Sequence, residues 1–115
     1  MRFHSLLIPF GMLALGGCAA AYSAPSSYEI RQLRGARDAC LMQNAIRLDD
    51  YRSDAATVGS AVVAACRREN AAIISAIAGP DGFRESEIAR QVQQDSQQAA
   101  TQYVLQNRAA RSVRR

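Results

Sequence analysis

Residues 53–82 read SDAATVGSAVVAACRRENAAIISAIAGPDG, and this stretch decides the fold class. Val58, Val62, Cys66, Ile73 and Ile77 recur at spacings of three, four or seven, which gathers them on one face of a helix. The alanines at 55, 56, 61, 64, 65, 71, 72, 76 and 78 favour helix and let a neighbouring backbone come close. Ser53 or Asp54 is placed to cap the start. Gly79-Pro80-Asp81-Gly82 ends the pattern, because glycine suits a left-handed cap and proline cannot continue the hydrogen-bond ladder. Arg67-Arg68-Glu69-Asn70 in its middle excludes a bilayer span.

Working outward, Ser26 and Glu29 have the Ser-x-x-Glu spacing of a capping box, so a first helix is predicted to start there and run to about Leu48. Ile30, Leu33, Ala36, Cys40 and Leu41 offer its apolar face, with Arg31, Arg34 and Asp38 mostly outside. Asp49-Asp50-Tyr51-Arg52 interrupts the periodicity and predicts a turn near Tyr51. A third helix is expected from near Phe83 past Tyr103, with Glu85 and Glu87 favourably placed in its first turns. Its apolar seam is thin: Ile88, Val92, Ala99 and Tyr103 share one face, while Gln91, Gln93, Gln94, Gln97, Gln98 and Gln102 make much of the rest polar. That helix is read as a solvated bundle member, or as one whose outer portion meets a protein partner or self-associates. The expected architecture is all-α: a disulfide-bridged antiparallel helical hairpin plus a longer third helix.

Leu15-Gly16-Gly17-Cys18 follows the short apolar run Leu6–Leu15, with Arg2 near its start. It resembles the lipobox of bacterial lipoproteins. The resemblance implies a diacylglyceryl group with palmitate-type chains on the Cys18 thiol, removal of residues 1–17 as a signal peptide, and Cys18 as the first mature residue. The apolar run is too short for a stable membrane helix and has the flanks of a signal peptide. An ordinary secretory signal cleaved near Ala19-Ala20-Ala21 is the alternative. Several acyl chains hold a protein to a membrane far more firmly than one. Ala19 stands where an aspartate in this family favours inner-membrane retention, so the implied location is the outer membrane facing the periplasm. Residues 18–27 then form the lipidated N-terminus and tether, and 28–115 one small helical domain.

An exported chain with two further cysteines is expected to bond them to each other, because the periplasm is kept oxidising. Spacing supports the pair independently: residues 40 and 66 are equidistant from position 53, so Cys40 and Cys66 face each other if the flanking helices turn near Tyr51.

The chain has 115 residues, with 14 basic and ten acidic ones; every basic residue is arginine, and only Arg2 lies in the predicted signal. The single histidine, His4, also lies there, and tryptophan is absent. The mature part therefore lacks the common general bases, Schiff-base formers and soft metal ligands, which argues against an enzyme and predicts no cofactor and no metal. Asp49, Asp50 and Asp54 form the densest acidic cluster. They lack the alternating ligands, central glycine and closing glutamate of an EF-hand loop and are read as turn and cap residues.

At the other extreme, Arg108, Arg111, Arg114 and Arg115 crowd the C-terminus. They either bind an anionic surface or complement the helix dipole. Nucleic acid is not expected, since no aromatic-basic motif accompanies the charge. The function expected is a non-enzymatic envelope lipoprotein, accessory or structural, that presents a helical surface to another envelope protein. The alternative is binding of an anionic envelope component, lipid head groups or lipopolysaccharide, through the arginine-rich helix.

Overall fold

The computed structural model describes residues 23–114. These form α1 (Ser27–Leu48), α2 (Ala55–Ala65), α3 (Arg67–Ala78) and α4 (Gly82–Val113), with no strand among the described residues. The all-α expectation holds. The expected signal peptide 1–17, the expected lipid-attachment residue Cys18, and Arg115 lie outside the described residues.

α1 begins where the capping box places it. The Glu29 amide donates to the Ser26 hydroxyl at 3.2 Å, and the Ser26 amide donates to the Glu29 carboxylate at 2.7 Å, so two end amides are satisfied reciprocally. After Leu48 the chain leaves helix, and Asp50 organises the turn by accepting from the amides of Arg52 and Ser53, both at 2.9 Å. Asp54 caps α2, its carboxylate accepting from the amides of Ala56 and Thr57 at 3.0 Å.

The continuous helix expected over the alanine-rich stretch is corrected: it divides at Cys66, whose φ of −100° and ψ of 23° leave the helical range. The Cys66 amide is shared between the carbonyls of Val62 and Val63, both at 3.1 Å, while the Asn70 amide still reaches the Cys66 carbonyl at 3.2 Å. Such bifurcation is the habit of a helix end. The apolar stripe Val58, Val62, Cys66, Ile73 stays buried across the break, which is why periodicity does not reveal it. Gly79 closes α3 at a φ of 62°.

α4 packs against the other three helices, and α1 against both α2 and α3. Leu41 and Ala45 of α1 join Ala100 and Val104 of α4 in one core cluster, at the same 59-residue offset as the Asp49–Arg108 pair that closes the end of α1 on α4. The two helices therefore run side by side in one direction. α2 and α3 run the other way along α4: Arg108 meets Ser53, Gln97 meets Ala56 and Ser60, and Ser96 meets Asn70.

The α4 seam is also corrected. Its buried row is Val92, Ser96, Ala100 and Val104, with Ala99 and Tyr103 only partly covered and Ile88 half-buried. A helix covered on two flanks buries the line between them, so small and polar residues enter the core. Ser96 is admitted because its hydroxyl donates to the Asn70 side-chain oxygen at 2.8 Å, which removes the cost of a bare buried hydroxyl. Ala36, expected on the core face of α1, is exposed.

Candidate functional site at the basic end of the bundle

The turn between α1 and α2 folds back on the last turns of α4. Arg108 reaches across with a two-point grip: its Nε donates to Asp49 Oδ2 at 3.0 Å and its Nη2 to Asp49 Oδ1 at 2.6 Å. The same Nη2 donates to the Ser53 carbonyl at 2.8 Å. The Asp49 side chain is wholly buried, and its Oδ1 also accepts from the Tyr51 amide at 3.0 Å. The Arg108 hydrogen bonds hold the Asp49 carboxyl below the usual carboxylate range against the opposing effect of burial. Asp49 in turn raises the Arg108 guanidinium.

Tyr51, midway between Asp49 and Ser53, sits in the left-handed region, at a φ of 57°, a conformation that non-glycine residues adopt only when surrounding contacts enforce it. Those contacts come from α4. Asn107 Nδ2 donates to the Tyr51 hydroxyl at 3.2 Å, and the Arg111 guanidinium lies 4.3 Å from the ring centroid, within cation–π reach. Arg111 first, then Asn107, lowers the phenol below its ordinary value. Tyr51, Arg108, Arg111 and Ser112 line a cavity of about 370 Å³. A neighbouring hollow of about 260 Å³ is lined by Asn107, Ala110, Arg111 and Arg114.

The three described C-terminal arginines thus divide. Arg108 is committed to Asp49, and Arg111 lies on Tyr51. Neither Arg111 nor Arg114 has an acidic partner among the described residues, and both are exposed. Chemically this is a shallow cationic end with one aromatic wall, able to take a carboxylate, phosphate or sulfate. Tyr51 and Asn107 are additions that sequence reasoning did not place here, because partners 56 residues apart leave no local pattern.

No protein-family model matches the chain. No curated protein and no solved structure is detectably similar to it.

Cys40 and Cys66 are joined in a disulfide, with Cα atoms 5.9 Å apart, as their equal distance from the turn predicts. Asn44 packs against it, donating to the Cys40 carbonyl at 2.9 Å. Glu69 lies within 4.8 Å of both sulfurs, but bonded sulfurs are not thiolates and offer no metal the ligands of a structural site. The three aspartates of the turn do separate work: Asp49 holds Arg108, Asp50 makes the turn, and Asp54 caps α2. No helix among the described residues is long and apolar enough to cross a membrane.

These carboxylates set an acid limit. Glu29, Asp49, Asp50 and Asp54 are all lowered in the folded protein, Asp50 to about 2 by the amide of Arg52 and the hydroxyl and amide of Ser53. The unfolded chain, with ordinary carboxylates near ~4, binds more protons in acid, so their stabilisation is complete above that value and disappears as pH falls through the folded values. Melting followed by circular dichroism is expected to be flat from neutral pH to about 5 and to drop steeply toward pH ~2. Asp50→Asn should shallow that drop; an unchanged profile would show that the turn contributes nothing to it.

Proposed function

We propose that this chain is a non-enzymatic bacterial envelope lipoprotein, anchored through Cys18 to the outer membrane and facing the periplasm, which presents its helical surface to another envelope protein. In this reading α1 and the α2–α3 run form a disulfide-bridged antiparallel hairpin, and the longer α4 lies along it and carries the recognition end. The observation that carries the reading is the polarity of the bundle. The tether enters where α1 starts, whereas Tyr51, Arg111 and Arg114 sit where α1 has ended and α4 finishes, so the cationic end is displayed away from the anchor. α4 alone, at 32 residues, is about 48 Å long, about half as long again as the ~32 Å that the chain from Cys18 to Ser27 spans when extended.

The exposure of Arg111 and Arg114 favours a second reading, in which that end binds an anionic envelope component directly. Arg108 adds little to it, since its charge is answered by Asp49.

The first test is chemical. Metabolic labelling with a fatty-acid probe is expected to mark the wild-type protein and to fail on Cys18→Ala, whose maturation should also stall; label on the variant, or soluble wild type cut near Ala21, would refute the anchor. The unacylated domain then separates the two readings. Negligible binding to anionic vesicles at low salt favours a protein partner, whereas salt-sensitive binding lost when Arg111 and Arg114 become glutamine promotes the second.

A further inference from the structure

The opposite end of the bundle carries a phenylalanine without a partner. Phe83 is 84% exposed although its backbone is firmly placed: its amide donates to the Asp81 carboxylate at 3.0 Å, and the Ser86 hydroxyl donates to its carbonyl at 2.9 Å. The ring is therefore presented by the capped first turn of a long helix. The 59-residue offset of α1 and α4 puts the first turn of α1, at Ser27, level with Ser86. Tyr28, 61% exposed, belongs to that turn, its hydroxyl accepting from Gln32 at 2.9 Å. Two exposed aromatic rings thus occupy the end at which the chain arrives from Cys18.

We propose that this end of the bundle seats on the bilayer that holds Cys18, with Phe83 entering the boundary between head groups and acyl chains and Tyr28 lying beside it. The proposal rests on the lipoprotein reading. The nine chain steps from Cys18 to Ser27 allow the start of α1 to stand no more than about 32 Å from the lipid-bearing cysteine, so the aromatic end is the part of the domain that meets the membrane first. Aromatic rings favour that interfacial depth. The flanking charges are mixed, with Arg84 and Arg31 set against Asp81, Glu85 and Glu29. Seating is thus apolar and indifferent to salt, unlike any contact made by the arginines. Its consequence is an upright bundle, with the cationic end directed away from the anchoring membrane.

The absence of tryptophan makes the test direct. Full-length acylated protein carrying Phe83→Trp or, at the far end, Val113→Trp is reconstituted into phosphatidylcholine vesicles containing acyl-brominated lipid. The indole of Phe83→Trp is expected to shift to the blue and lose at least about half its emission, unchanged by salt, as a ring buried ~5–10 Å into the boundary should. The indole of Val113→Trp should stay unquenched. Neither indole quenched, in protein that floats with the vesicles, overturns the seating and leaves the lipid anchor standing; equal quenching of both means a bundle lying flat and overturns it too. Protein that carries no acyl chain and does not float refutes the lipoprotein reading and the seating with it.

Discussion

Cys66→Ser is expected to lower the melting temperature by about 15–25 °C, from the loop-closure and melting relations applied to a bond joining residues 26 apart. The chain-entropy relation gives roughly 3.5 kcal/mol for a loop of this size, a large part of what a small domain possesses. The bond also ties α1 to the break between α2 and α3, where the helical ladder is at its least regular. The wild type under reducing conditions should melt with the variant, because both lack the same link. Thermal melts with and without reductant check this. A variant that melts within a few degrees of the oxidised wild type would mean that packing of Leu41, Val62 and Ile73 holds the fold without the bridge.

Gly59→Leu is the second substitution expected to act strongly. A Cβ added at Gly59 would stand 2.7 Å from Thr101 Oγ1 and 3.2 Å from the Thr101 amide nitrogen, so α2 and α4 touch there almost backbone to backbone. A leucine must push the helices apart, break the bond from Gln97 Nε2 to the Ala56 carbonyl, now 3.0 Å, and open the core beside Val58 and Val62. The loss is expected to reach about 3 kcal/mol or more, the upper range for overpacking. Gly59→Ala is the finer probe, because its gain in helix propensity of about 1 kcal/mol opposes the clash. Thr101→Ala, which removes the nearest atom, should recover part of the Gly59→Ala deficit in a double-mutant cycle by urea denaturation. A Gly59→Leu protein as stable as wild type would show that α2 and α4 separate freely.

Much of the architecture is local and could be read from the chain. The capping box at Ser26 and Glu29, the cap at Asp54 and the stop at Gly79-Pro80 each depend on residues within one turn of one another, which is why the start of α1, the start of α2 and the end of α3 fall where spacing puts them. The cysteine pair was legible through geometry, since two residues equidistant from a turn meet when the flanking segments fold together. The basic end was visible only as composition. Arginines that complement a helix dipole and arginines that close on a turn look the same in sequence; among the described residues of that end, Arg108 alone is bound to a buried carboxylate.

What the sequence by itself determined is the helical class, the caps, the turn at 49–54 and the disulfide, all of which follow from short-range hydrogen-bonding and spacing. Tertiary structure alone decided the break at Cys66, the entry of Ser96 and Asn70 into the core, the close approach at Gly59 and the grip of Arg108 and Asn107 on the turn. The reason is physical. Burial of a small or polar side chain depends on how many neighbours surround it, and partners 26 to 59 residues apart are brought together by the packing of α4 against three helices rather than by any pattern along the chain.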